Sequence, residues 1–322
     1  MSPARRDEAA WLRFIRDLWG VAGLAPGHGD DAVLLPPAPY ALTTDFLSEG
    51  CDFERGWGPW EAVGHKALAA NLSDLAASGA RPNRFLLDLA LPCDLEDGEV
   101  ERLLRGLHAL SAREGVLLAG GDLNASRSGL CIAITAVGVQ DRPPLLRSGG
   151  RPGDLLYVSG ALGGPREALR RFKAGERLDS FPPEAPAPGT ARALLDRFFR
   201  PPSQTALGLF LAERGLCSAC LDLSDGLARD LPRLCEASSV GAEVALESLP
   251  LETPGLDPAQ ALLGGEEQVL LLAVSEEKAA ALVGAPGTLT RIGRLTPGAE
   301  LVLVRGGRRS DWPSGGFDHF AP

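Results

Sequence analysis

The period of apolar and polar positions changes repeatedly along the chain, so helices and strands are expected to alternate. Trp11, Leu12, Ile15, Leu18 and Trp19 recur at helical spacing and predict an amphipathic helix over 5–19. "YALTTDFL" (40–47) reads as a strand that ends in polar chemistry, and "PWEAVGHKALAANLSDLAASGA" as a long helix closed by Gly79. A strand in "RFLLDLALP" (84–92), a helix over 95–114, and strands in "VLLAGGD" (116–122) and "GLCIAITAVGVQ" (129–140) continue the alternation. This is an α/β or α+β pattern.

"DRPPLLRSGGRPGD" (141–154) is dense in Pro and Gly and marks the expected domain boundary, giving an N-terminal domain over 1–145 and a C-terminal one over 146–322. Beyond it come the strand "LLYVSG", a helix over 164–174, the loop "SFPPEAPAPG", and helices over 190–199 and 203–215. The strand "CLDLS" (220–224) runs into the helix "DGLARDLPRLCEAS", where Pro232 predicts a kink or a late start and Ser224 an N-cap. "AEVALESLP", "EQVLLLAVS", "LTRIGRLT" and "ELVLVRGG" supply further strands, so the second half is also a mixed α/β domain.

Length and composition agree with two domains, since 322 residues with 45% hydrophobic content can bury two cores. The net charge of −10 argues against non-specific binding to nucleic acid or to an anionic membrane, and an anionic substrate would need metal ions or local arginines. No apolar run approaches the roughly 18 residues of a membrane span, and the first residues lack the apolar stretch of a signal peptide, so a cytoplasmic protein is expected. Cys217 and Cys220 form one C-x-x-C without a second pair, which fits reduced buried thiols better than structural zinc.

Aspartates recur at the ends of the expected strands. "GDD" contains the adjacent Asp30 and Asp31, whose partner is either solvent or a divalent cation. Asp45 follows Thr43 and Thr44, Asp122 follows Gly120 and Gly121, and Asp222 and Asp225 flank Ser224. Asp74 lies instead inside an alanine-rich helix, on a small, polar face with Ala67, Ala70, Asn71 and Ser78. Each has a structural reading as a cap or turn residue, but several carboxylates gathered in one fold would repel unless cations intervened. Glycines beside them would let backbone N–H groups close on phosphate, and the absence of a G-x-x-x-x-G-K-[ST] motif excludes a P-loop.

"GDDAVLL", "TTDFLSEGCDF", "GHKALAANLSDLAASGA", "GGD", "LLRSGGRPGD", "DLSDGLARDL", "GGEE" and "GFDHF" occur in an order and spacing that resemble the thiamine-monophosphate kinase family, within the aminoimidazole ribonucleotide synthetase-like superfamily. The resemblance spans nearly the whole chain. It implies ATP- and Mg²⁺-dependent phosphorylation of thiamine monophosphate to the diphosphate, in a homodimer whose N-terminal sheets pair into a barrel. By position it implies that Asp31, Thr43, Thr44, Asp45, Asp74, Asp122, Asp222 and Asp225, together with Asp30, hold several Mg²⁺ ions. Gly121, Asp122, Arg147 and Ser224 would face ATP, and Asp45, Asp74, Asp122 and Arg147 would carry the phosphoryl transfer. Asp52, Glu266 and Phe317 would face the acceptor.

The departures fall on the acceptor side. "EGCDF" has Asp52 where the family shows a histidine, and "GGEEQVL" has Gln268 and Val269 where the family shows a tyrosine and a glutamate. Two rivals follow: an ATP-dependent relative acting on a different phosphorylated acceptor, and a nucleotide-binding protein that has lost turnover. ADP release with a panel of acceptors separates them.

Overall fold

The computed structural model describes residues 33–35, 39–181 and 189–317; the predicted helix over 5–19, Asp30 and Asp31 lie outside them. The first half builds a five-stranded sheet from β1 (Val33–Leu35), β2 (Tyr40–Ser48), β3 (Arg81–Pro92), β4 (Leu117–Ser126) and β5 (Cys131–Val139). Its order is β1-β2-β5-β3-β4, antiparallel except for the parallel pair β3/β4. β2, β3 and β5 alternate over their central residues. Ala41, Thr43, Leu47, Phe85, Leu87, Leu89, Ile132, Ile134 and Ala136 are buried on one face, while Phe46, Leu86 and Asp88 are exposed on the other.

Two helices cover the buried face, α1 (Trp60–Ala77) and α2 (Asp97–Glu114). α2 is amphipathic, opens with a Glu96/Glu99 capping box and closes on Gly115 in the left-handed region. α1 is buried along most of its length, which explains its alanine content. Close approach requires glycine here: a Cβ on Gly64 would stand 2.0 Å from Leu103 O, and one on Gly106 1.9 Å from Glu61 O.

The second half forms a seven-stranded sheet from β6 (Leu155–Val158), β7 (Ala219–Asp222), β8 (Gly241–Ala245), β9 (Leu270–Val274), β10 (Thr290–Thr296), β11 (Leu301–Arg305) and β12 (Arg308–Asp311). Its order is β12-β11-β8-β10-β6-β9-β7. The helices are α3 (Gly164–Lys173), α4 (Ala191–Phe199), α5 (Thr205–Arg214), α6 (Leu227–Ser238) and the short α7 (Pro258–Leu262) and α8 (Glu276–Ala279). The halves share apolar cores. Phe172, Phe198 and Phe199 join the cluster under the first sheet, and Ala76 and Ala77 of α1 join one with Leu211 and Leu272.

Of the two readings of Pro232 the late start is excluded, and two further local expectations are corrected. Helix α6 starts at Leu227 and runs through Pro232, and the carbonyl of Ala228 that proline cannot bond accepts from Trp312 Nε1 at 2.9 Å. Its N-cap is Gly226 rather than Ser224, because the chain crosses Gly264 there: a Cβ on Gly226 would lie 2.5 Å from Gly264 O. The strand expected through "AEVALESLP" ends at Ala245, where a 3₁₀ turn over Leu246–Ser248 buries Leu246.

The helix contact gives a stability prediction. Gly106→Ala should lower Tm strongly, costing about 3 kcal/mol or more because backbone must move. Gly98→Ala, with nothing within 4 Å of its Cβ, should be neutral or stabilising by about 0.4–1 kcal/mol. Paired thermal melts check both.

Candidate active site

A cleft of about 330 Å³ opens between β2, α1 and the loops following β7 and preceding β9. Asp45, Asp52, Arg147, Ser224, Asp225, Glu266 and Phe317 line it, so seven of the expected site residues meet there. An adjoining pocket of about 140 Å³ shares Asp52, Glu266 and Phe317 with the cleft. Pro165, Leu169, Phe198 and Leu263 make its other walls largely apolar, with Cys51 and Arg166 also in the lining. A charged chamber thus joins an apolar one across three side chains.

Behind the cleft the acidic residues are tied in sequence. The Thr43 hydroxyl on β2 donates to Asp74 Oδ2 on α1, and the neighbouring Ser73 Oγ donates to Asp222 Oδ2 on β7 at 2.8 Å. Period-2 alternation puts Thr43 and Asp45 on the same face of β2. Thr44 is on the opposite face, its hydroxyl 3.1 Å from Ile134 O and 3.2 Å from Thr135 Oγ1. Only its backbone could serve the Asp45 side.

Asp122 and Gly121 lie elsewhere. The register aligns Asp45 with Ile134, Leu87 and Gly121, so β4 stands three strand spacings away, about 14 Å. Asp122 is exposed there, opposite Asp88. Gly121 has a structural reason of its own, since a Cβ would stand 1.8 Å from Leu87 O.

Three cations face the cleft: Arg147 and two that the sequence reading did not assign, Lys66 and Arg233. Lys66 is 1% exposed and its ammonium donates to Glu266 Oε2 at 2.6 Å. Arg233 bonds Asp225 Oδ2 at 2.6 Å and Asp230 Oδ1 at 2.8 Å. Burial pushes the Asp230 carboxyl up to about 7, against the pull of Arg233. Lys66 could have been noticed as the single full charge between Glu61 and Asp74 of an alanine-rich helix. Arg233 carried no comparable signal, because its i,i+3 spacing from Asp230 is that of many surface pairs.

The substituted motifs divide. Asp52 Oδ2 accepts from Ser48 N at 2.7 Å and Ser48 Oγ at 3.3 Å, so its charge closes the turn after β2 while the residue still lines both chambers. Gln268 lines the cleft, whereas Val269 is fully buried in the second core. Glu266 and Gln268 hold φ of 65° and 47°, a left-handed pair at the junction.

Donor chemistry fits a hard cation, since the cleft and the chain behind it offer carboxylate and hydroxyl oxygens. Among the described residues no three His, Cys, Asp or Glu side chains converge tightly enough to hold one ion. The C-x-x-C is reduced, with burial pushing the Cys217 thiol up to about 12. Burial also lowers His65 to about 4, and the described lining of the cleft includes no histidine.

Glu267, next to Glu266, gives a pH prediction. Fully buried, it accepts from Gly163 N at 2.5 Å, and burial pushes its carboxyl from 4.5 up to about 8 although Arg197 lies 3.7 Å away. Between those values the native chain keeps a proton that the unfolded chain loses, so this contribution to stability is full below 4.5 and is lost as pH rises through 8. Glu267→Gln should flatten that decline, raising Tm at alkaline pH by about 2–4 °C per kcal/mol recovered. Melts across pH 5 to about 9 read it directly.

Residues 29–140 match the AIR synthase related protein N-terminal domain, and residues 151–306 its C-terminal domain. The thiamine-monophosphate kinase of Salmonella typhimurium is 35% identical over 314 residues, 92% of each chain. That of Rhodopirellula baltica is 32% identical over 295 residues, 84% of each. A solved structure described as AaThiL complexed with AMPPCP and TMP superposes with a TM-score of 0.84 at 29% identity, covering 99% of this chain and all of that one. Among the described residues no helix is long and apolar enough to cross a membrane. On this whole-length agreement of sequence and fold, the chain belongs to the thiamine-monophosphate kinase family.

Proposed function

We propose that the protein transfers the γ-phosphoryl group of ATP to thiamine monophosphate, giving thiamine diphosphate, with Mg²⁺ as the required cation. The observation that carries this reading is the junction of a charged cleft with an apolar pocket through Asp52, Glu266 and Phe317. The cleft suits polyphosphate and the pocket a flat heterocycle, so the acceptor's own phosphate falls at the boundary.

Asp30, Asp31, Thr43, the Thr44 backbone, Asp45, Asp74, Asp122, Asp222 and Asp225 would hold Mg²⁺, which when bound offsets the charge of the meeting phosphates. Arg147 clamps phosphate oxygens through its planar fork beside Ser224, the N-terminal unit (1–145) supplying Asp45 and, on its distant β4, Gly121, while the C-terminal unit (146–322) completes the pocket. The attacking oxygen belongs to a phosphate monoester whose second pKa is about 6, so it arrives already anionic and needs no general base. The burial and low pKa of His65 and the exposed position of His108 on α2 agree with that economy.

Coupled ADP release with ATP, Mg²⁺ and thiamine monophosphate tests the proposal, and a protein that turns over only another phosphorylated acceptor overturns it. In the same assay Asp45→Asn and Asp74→Asn should keep the fold and lose about a hundredfold or more of kcat, since each removes charge that offsets a cation. Full activity of Asp74→Asn at limiting Mg²⁺ would remove it from the metal set.

A homodimer is part of the same proposal. Among the described residues β4 forms an unpaired sheet edge that is exposed from Leu117 to Ala125, with Leu123 71% exposed on it and Phe46 of β2 61% exposed on the outer face of the sheet. A second copy would cover this apolar edge, close the two sheets into a barrel and bring Asp122 into an enclosed site. Light scattering at micromolar concentration should give twice the chain mass, and Leu123→Lys should shift it toward monomer.

A further inference from the structure

Lys66 is out of place by ordinary physical chemistry. A lysine buried to 1% exposure gives up its hydration and persists only where partners replace it. Its ammonium has three: Glu266 Oε2 at 2.6 Å, the Phe198 carbonyl at 3.2 Å, and the face of the Phe198 ring at 3.9 Å from the centroid. These join α1, the end of α4 and the left-handed loop at Glu266. Glu266 is a third exposed and borders both chambers, and Phe198 forms an apolar wall of the pocket. The pair therefore sits where the charged chamber meets the apolar one.

A bare carboxylate at that boundary would repel any acceptor whose phosphate must lie beside it. Asp52, the other acid at the junction, is held back by Ser48 N and Oγ. Arg147 and Arg233 line the cleft and Arg166 the pocket, where its guanidinium donates to Gln260 Oε1 at 2.9 Å, while Lys66 is bonded directly to the shared Glu266. Resting on the kinase reading, we propose that Lys66 is the specificity-determining positioning residue of the acceptor site. It pins Glu266 and cancels its charge, so that the junction accepts a phosphate monoester carried on an aromatic group in preference to the same group without phosphate.

Calorimetric titration of four full-length proteins, wild type, Lys66→Met, Glu266→Gln and Lys66→Met/Glu266→Gln, with thiamine monophosphate and with thiamine tests this. Lys66→Met should weaken thiamine monophosphate about thirtyfold or more while thiamine changes less than about threefold, because only the phosphate meets the uncovered charge. The double variant should recover the monophosphate to within about threefold of wild type, which a merely structural loss would not do. Equal weakening of both ligands, or no recovery in the double variant, overturns the proposal. Should Lys66→Met not fold by circular dichroism, Glu266→Gln decides: it should bind the monophosphate as well as or better than wild type, and a selective loss of the monophosphate overturns the idea. If wild type binds neither thiamine compound, the kinase reading fails rather than this one. Inorganic phosphate titrated into the same proteins then reads Lys66, with unchanged affinity in Lys66→Met the overturning result.

Discussion

A helix enclosed by protein must find its polar partners within its neighbours, and α1 does so for Lys66, Ser73 and Asp74 in a way that organises the site. Asp74 is bound to Thr43 of the first sheet, Ser73 to Asp222 of the second, and Lys66 to the loop that carries Glu266. Its alanines and Gly64 let α2 and the sheet approach closely, so these polar contacts are made at fixed distances. Stability and site geometry come from the same packing. Family membership agrees with it, because the motif "GHKALAANLSDLAASGA" is this helix and its C-terminal turn.

The electrostatic design is one of compensated carboxylates. Asp225 is held by Arg233, Glu266 by Lys66, and Asp52 by the Ser48 amide, in a chain whose net charge is −10. Without incoming cations, the acids of the cleft are therefore partly neutralised by the protein itself. On the proposed reading, a polyanion brought with Mg²⁺ would supply new partners on both sides, phosphate for the arginines and metal for the aspartates. Substituting Asp for the family's histidine at position 52 is tolerable in this setting because the carboxylate is turned into the β2 turn.

Much of this was legible in the chain. Period-2 alternation in β2, β3 and β5 and the helical period of α2 survive because local pattern and tertiary burial agree there, while α1 was legible from its alanine content and closing Gly79. The hairpin from β11 to β12 was written in "RGGR", two glycines at φ 53° and 75°, but β12 is exposed throughout and has no apolar period to reveal it. Ser224 looked like a cap because its neighbours are helix formers; the crossing of Gly264 decides otherwise. Lys66 and Arg233 escaped notice for a related reason. Their partners lie 200 residues away in one case and on the next helical turn in the other, and neither spacing announces a cleft.

The shared cores constrain how ligands come and go. Trp57 stacks on Phe172 at 5.0 Å, and Phe198 and Phe199 pack edge-on against the same ring, so aromatic residues from both halves form one block beneath the cleft. Rocking one half against the other would pull that block apart and expose its rings to water, at a cost of several kcal/mol. The block therefore ties the two halves into a stiff frame beneath the cleft, and the segment 312–317 is stitched to the start of α6 and the loop before it through Trp312 and Phe317. In kinetic terms, any opening that moved one half against the other would meet this cost each time it occurred.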